Sequence, residues 1–272
     1  MHFFVCILSQ TFPLVLKKPA VDEYWLVGFF EADGCLSVFN NKQKQVSLSF
    51  ILRQADPKVL YQVKSFLGCG SVYMDKQGYW TYCVRNKEGL LKIVEILNGK
   101  LVFTKGLKQY KTWVEAFNQK YKTSLVPVTT PATLSWNNAW LTGFADAEGS
   151  FNIMLGVRKD TCQPRLRLRF YLDQSYSLES MQVVQDWLGG SLHCKQTKNK
   201  NHHRLMVDTF NKSTLLVDYF SKFPPLTTCL FVRFIRYARV YQWYVTNQWK
   251  KRLENIQHLI LLNKRLQKKP KN

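Results

Sequence analysis

One stretch occurs twice in this chain, about 115 residues apart. Leu26 to Gly34 reads Leu-Val-Gly-Phe-Phe-Glu-Ala-Asp-Gly, and Leu141 to Gly149 reads Leu-Thr-Gly-Phe-Ala-Asp-Ala-Glu-Gly. Each follows a tryptophan (Trp25, Trp140), spaces a Gly and an Ala four apart, and ends carboxylate then Gly before an alternating run. Each copy predicts a short helix stopped by its glycine, which can take the left-handed conformation without steric cost. Gly28 with Ala32, and Gly143 with Ala147, then share a face, because residues four apart on a helix are neighbours. A stripe without bulk lets two helices approach until their backbones nearly touch. Packing the two helices through these stripes brings their C-terminal ends together, and with them Asp33 and Glu148.

That placement is electrostatically awkward. A helix C-terminus carries partial negative charge and disfavours an anion by about 0.3 to 1 kcal/mol, and two facing carboxylates repel each other further. A site that repels itself needs a cation. Hard oxygen ligands with room for water suit Mg²⁺, or Mn²⁺ in its place. Metals held near such carboxylates suit in-line cleavage of a phosphodiester.

The charge of the whole chain agrees. Lysine and arginine outnumber acids 39 to 18 over 272 residues, a net charge of +21. Such a field draws in a polyanion, most commonly nucleic acid, although ribosomal and membrane-surface proteins share it. No apolar run reaches the roughly 18 to 20 residues of a spanning helix, so no membrane is expected. A hydrophobic content of 46% with 14% aromatics supplies real cores. Seven scattered cysteines without a Cys-x-x-Cys spacing argue against a disulfide framework or zinc site, and for a reducing compartment. His202-His203 has no ligand at metal spacing beside it and reads as a loop or nucleic-acid contact.

Taken in order, residues 1–20 form a poorly specified extension, 21–122 a first unit, 123–135 a Pro-containing linker that stays extended, and 136–272 a second unit ending in a basic helix. After the first repeat helix, residues 35–39 lead through a turn at Asn40-Asn41-Lys42 into the strand 46–53. There Val46, Leu48, Phe50 and Leu52 alternate with Ser47, Ser49, Ile51 and Arg53, a half-buried pattern whose second face is left for a partner. Asp56-Pro57 opens a helix ended by Gly68. A hairpin follows over 70–85, then helices over 86–98 and 104–122. In the second unit Arg165, Arg167 and Arg169 alternate with Leu166, Leu168 and Phe170, about 7 Å apart along one strand face, and arginine clamps phosphates or reads guanine edges. A helix over 177–188 and a hairpin around the basic loop Thr197-Lys198-Asn199-Lys200-Asn201 come next. The long helical region from Thr227 is rich in aromatics (Phe231, Phe234, Tyr237, Tyr241, Trp243, Trp249), read as core and interdomain packing. The fold class is α+β: two pseudo-symmetric αββαββα units, each with a four-stranded antiparallel sheet, the sheets forming a saddle for the DNA major groove.

Both repeats resemble the LAGLIDADG motif of homing endonucleases, matching its small third and seventh positions, its eighth-position carboxylate and its closing glycine. Two copies, each opening a similar block from about Asp22 onward, resemble the single-chain, intron-encoded members. The resemblance implies metal binding by Asp33 and Glu148, with the carbonyls of Ala32 and Ala147 as further ligands, and one cleavage centre for each DNA strand. Glu31 and Asp146, at the sixth position, are usually structural in this family. A family glutamine matches Gln54 and Gln174, and a family lysine matches Lys105. In the second half the lysine's place, Thr227-Thr228-Cys229, holds cysteine, which puts the symmetry of the two centres in question.

The implied function is site-specific double-strand cleavage of a long asymmetric DNA target, promoting intron mobility. Ser47, Ser49, Arg53, Arg165, Arg167, Arg169, Lys198 and Lys200 are the candidate DNA contacts. The alternative is an RNA maturase acting on its host group I intron, with intron RNA as the partner; a third reading is a binding protein built on a dead nuclease. A monomer encoded in an organelle is expected, mitochondrial first and chloroplast second.

Overall fold

The computed structural model describes residues 16–40, 46–175, 178–197 and 200–266. Helix α1 (Glu23–Asp33) passes without a loop into β1 (Gly34–Asn40), which pairs antiparallel with β2 (Val46–Gln54). Helix α2 (Pro57–Leu67), the hairpin β3 (Ser71–Met74) and β4 (Trp80–Val84), and helices α3 (Lys87–Leu97) and α4 (Thr104–Tyr121) follow. The order returns in α5 (Trp140–Glu148), β5 (Gly149–Val157), β6 (Pro164–Ser175), α6 (Leu178–Leu188), β7 (Ser191–Thr197), β8 (Lys200–Val207), α7 (Phe210–Lys222) and α8 (Thr228–Val245). A 3-10 turn, Trp249–Arg252, and α9 (Leu253–Leu266) extend the second half. The four-stranded antiparallel sheets are ordered β1-β2-β4-β3 and β5-β6-β8-β7, so the class is α+β with two like halves. After its last strand the first half has two helices and the second has three, where αββαββα has one.

Local chemistry explains most boundaries. Asp56 caps α2 by accepting from the Lys58 N–H at 3.0 Å, Pro57 takes the first turn, and Gly68 ends the helix with φ +68°. Helix α7 escaped the sequence reading because its first turns, Phe210 to Thr214, are mostly weak helix formers, before its buried Leu216, Val217 and Phe220. The expected loop at 197–201 is shorter. Thr197 already pairs with Lys200 in the ladder, so Thr197, Lys200 and Asn201 are strand residues. Lys198 lies outside the described residues, as do residues 1–15, Asn41 and Lys42 of the expected turn, and the terminal lysines from Lys268 onward. Residues 16–20 are better fixed than expected: Leu16 packs on the core, and the Lys17 N–H donates to the Ser221 carbonyl at 3.4 Å. The segment between α4 and α5 has no regular structure, yet the Asn98 side chain holds Val126 and Val128, and Ala132 donates to the Leu101 carbonyl.

The core faces of the sheets are aromatic. Phe30 stacks on Phe50 at 5.6 Å between ring centres in the first half. In the second, Phe151 meets Phe170, Phe220, Phe234 and Tyr237 at 4.9 to 5.3 Å. Phe234, Tyr237 and Tyr241 are buried, but they fill this local core. The aromatic packing between the halves comes from residues the sequence reading did not choose: Phe103 meets Trp140 and Phe144 edge-on at 5.6 and 5.7 Å.

At the centre, α1 and α5 touch backbone to backbone. A Cβ added at Gly28 would overlap the Trp140 carbonyl oxygen and lie 2.9 Å from its carbon; one at Gly143 would overlap the Trp25 carbonyl oxygen and lie 2.7 Å from its carbon. The reciprocity places a pseudo-twofold axis between them. The closing glycines work differently from the expectation. Gly34 (φ −91°) and Gly149 (φ −95°) are extended, not left-handed. Each turns the chain straight from helix to strand so tightly that a Cβ would come within 2.7 Å of the Phe30 carbonyl oxygen, or 2.6 Å of that of Ala145.

Neither side of the Gly28 contact can yield, because the neighbour is backbone. Gly28→Ala is expected to cost about 3 kcal/mol or more of stability by overpacking, against little change for Gly156→Ala, where nothing lies within 4 Å. Denaturant unfolding of the two variants checks this, and equal stabilities would contradict the backbone contact.

Candidate active site

The sixth-position carboxylates tie the halves together. Glu31 Oε1 accepts from the backbone N–H groups of Val102 and Phe103 at 2.8 and 2.7 Å, and its Oε2 accepts from the Trp140 indole at 2.8 Å. Asp146 mirrors it. Its Oδ2 accepts from the Trp25 indole and the Leu226 N–H, both at 2.8 Å, and its Oδ1 from the Thr227 N–H and hydroxyl at 2.9 and 2.6 Å. Each carboxylate therefore satisfies orphan donors just ahead of a distant helix, α4 or α8, and takes an indole from the opposite half. Burial pushes Glu31 up to about 7 while these donors pull the other way; Asp146 is raised for the same reason. With every oxygen engaged, neither is offered to a metal. The tryptophans before each motif were visible in the sequence, but their cross-chain role was not.

Two residues further along, Asp33 and Glu148 are left with fewer partners. Both line one cavity of about 490 Å³, together with Ala32, Lys105, Gln109 and Gln174. Gln54, from the end of β2, donates to Asp33 Oδ2 at 3.2 Å, and Gln174, from β6, donates across the halves to the Ala32 carbonyl at 3.3 Å. Burial raises Asp33 to about 6, with the Arg53 guanidinium pulling it down. Burial raises Glu148 to about 8, and the charges of Asp33 and then Asp173 add to the rise. The two carboxylates are therefore near enough to repel, as the repeated stretches required.

Among the described residues no group of three or more His, Cys, Asp or Glu could hold a metal. A protein-only cage is thus absent there. Two carboxylates at one cavity fit instead a hydrated hard cation that completes its shell with water and substrate phosphate; of the two expected alanines, Ala32 lines that cavity and Ala147 does not.

The uncovered sheet faces differ. On the second, the register aligns Arg165, Arg167, Arg169, Tyr171 and Asp173 with Arg204 and His193. Arg165 is exposed. Arg169 is not held free as the alternation suggested: it donates to Met154 Sδ at 2.9 Å and the Tyr171 hydroxyl at 3.3 Å, beside Asp208. Arg204, missed in the sequence although it alternates with Leu205 in β8, grips Asp173 at 2.6 and 2.8 Å. On the first sheet, Ser47 is exposed but Ser49 keeps only 8% of its surface, because a short side chain in mid-sheet lies below its taller neighbours. Arg53 pairs with Asp75 at 2.5 Å and stacks over Tyr79. His202 and His203 stand on β8, not in a loop, and His203 is buried.

A family model described as LAGLIDADG endonuclease matches residues 26–117 and 141–241. The Neurospora crassa protein named Probable intron-encoded endonuclease 4 is 30% identical over 87% of this chain and 42% of its own length. The Saccharomyces cerevisiae Intron-encoded RNA maturase bI4 is 28% identical over 70% of this chain and 29% of its own length. The chain thus spans less than half of either relative. The solved structure of the LAGLIDADG meganuclease I-AabMI bound to uncleaved DNA shares the fold, with a TM-score of 0.70 at 17% identity over 89% of this chain and 98% of that one.

The raised carboxylates give the metal-free protein a defined pH response. Glu148 moves from the usual 4.5 to about 8 on folding, so between those values the folded chain holds a proton the unfolded chain has released. Stability therefore falls as pH rises through that window and levels off above about pH 8. Glu31 and Asp33 contribute to the lower part, up to about 7 and 6, so Glu148→Gln should flatten mainly the top. Melting temperatures at pH 6 to 8 in chelator check this; a wild-type slope of zero or opposite sign contradicts it.

Proposed function

Because this chain belongs to the LAGLIDADG endonuclease family, we propose that it is an intron-encoded homing endonuclease that hydrolyses both strands of a long, asymmetric DNA site. The observation that carries the reading is the one cavity that Asp33 and Glu148, from the two repeats, both line. Asp33 and Glu148 would hold Mg²⁺ or Mn²⁺, with the carbonyls of Ala32 and Ala147 beside them, and the ion would supply charge neutralisation and an acidified water.

The chain's own groups do the rest. Gln54 orients the Asp33 carboxylate, and Gln174 fixes the helix end at Ala32. Lys105 brings a positive charge to the cavity wall, where negative charge develops as water attacks phosphorus. In that hydrolysis the water oxygen bonds to phosphorus, one phosphorus–oxygen ester bond breaks, and a proton from the water ends on the departing hydroxyl. Arg165, Arg167 and Arg53 would anchor the duplex on the two sheets, with Ser47 beside them; Arg169 and Ser49 share those faces, and Lys200 begins β8.

The maturase alternative is second. One relative is named a maturase, yet both eighth-position carboxylates are retained and converge, which splicing assistance does not require. The relatives named as intron-encoded support an intron within an organelle gene, mitochondrial before chloroplast, and the chain is proposed to act as a monomer because both halves of the site are already present.

With Mg²⁺, the protein is expected to cut a duplex carrying the intron-free junction of its host gene. Asp33→Asn or Glu148→Gln should lower the rate at least about a hundredfold while gel-shift binding persists; full activity of the double variant contradicts the metal assignment. Affinity should fall by about a thousandfold between roughly 50 and 200 mM salt if several phosphates are contacted. A flat salt response contradicts the sheet–DNA interface.

A further inference from the structure

The hydrogen bonds of the sixth-position carboxylates align the two halves residue by residue. Glu31 accepts from Val102 and Phe103, and Asp146 from Leu226 and Thr227. Two positions beyond the second capped residue stands Lys105 in one half and Cys229 in the other. The strand ladders give a second, independent alignment. Gly34 pairs with Leu52 and Gly149 with Leu172, so Arg53 corresponds to Asp173 and Gln54 to Gln174. The glutamine is common to both flanks, whereas both basic residues of the first have been replaced in the second, one by a thiol and one by an acid.

The second flank has no obvious substitute among the described residues. Arg204 is the nearest basic side chain to Asp173 and is bound to it by both arms of its guanidinium. Arg233, one helical turn beyond Cys229 and the counterpart of Gln109, is 6% exposed and donates to Ser150 Oγ at 2.6 Å and the Asn263 carbonyl at 3.4 Å. Cys229 itself is exposed at the start of α8. A thiol is a poor partner for hard cations and phosphate oxygens, and brings no positive charge.

Resting on the nuclease reading above, we propose that the two cleavage centres are unequal. The strand served by the Lys105 flank is cut first, the strand served by the Cys229 flank follows slowly, and a nicked duplex accumulates between the two events. The chemistry at both centres is the same hydrolysis; what differs is the charge available to oppose the negative charge that builds on the phosphate. Loss of one such preorganised partner is worth about tenfold or more in rate. Cys229 is then the position that sets the lag.

The test uses the full chain, Mg²⁺ and the intron-free junction duplex with each strand labelled separately. Wild type should cut one strand about tenfold or more ahead of the other, with nicked plasmid as a transient. Cys229→Lys should speed the lagging strand and leave the leading strand unchanged. Lys105→Met should slow the leading strand and close the gap from the other side, which keeps the proposal testable if the lysine at 229 disturbs folding. Equal wild-type rates overturn this proposal and leave the nuclease reading standing. So does a lag unaltered in both variants while the wild-type leading strand is cut. No cut on either strand overturns both.

Discussion

The structure depends on the contact between α1 and α5, where two helix backbones meet with no side chain between them. Gly28 faces the Trp140 carbonyl and Gly143 the Trp25 carbonyl, and no other residue leaves room. Such proximity fixes translation and rotation together, so the C-terminal ends of both helices reach the same place. The indole hydrogen bonds from Trp140 to Glu31 and from Trp25 to Asp146 then cross the seam in both directions. Each half is thereby pinned by a donor from the other.

The same carboxylates link the seam to the cavity. Glu31 and Asp146 sit two residues before Asp33 and Glu148, and they hold the N-terminal approaches to α4 and α8. Those approaches deliver Lys105 to the cavity wall and Cys229 to the matching position of the second half. The neighbouring acids Asp33 and Glu148 have no such network: burial raises both, Arg53 offsets part of the rise at Asp33, and the charges of Asp33 and Asp173 raise Glu148 further. One pair of acids is spent on architecture, and the adjacent pair is the one proposed to hold a cation.

Much of this was legible in the residues. The repeat, the small-residue stripe and the strand alternation gave the two α+β halves and the convergence of Asp33 and Glu148, because those features depend on spacing alone. What stayed hidden depends on partners remote in sequence. Nothing near Trp25 reveals that its indole meets Asp146 (|i−j| of 121). The left-handed ending assigned to Gly34 and Gly149 failed because a glycine before a strand can serve close approach as well as positive φ. Alternation placed Arg169 and Ser49 on the correct faces without showing that Met154, Tyr171 and Asp208 engage the first and that taller neighbours cover the second. The Lys105 to Cys229 correspondence could be suspected from the sequence, and the paired caps now fix it.

The central claim is that a seam of bare backbone forces two acids together so that they must share bound cations. Anomalous X-ray diffraction from a Mn²⁺-soaked crystal of the protein on uncleaved DNA tests it most directly. Metal peaks are expected within about 2.0 to 2.3 Å of carboxylate oxygens of both Asp33 and Glu148. Peaks confined to other parts of the molecule, with those carboxylates bare beside the bound duplex, would contradict it.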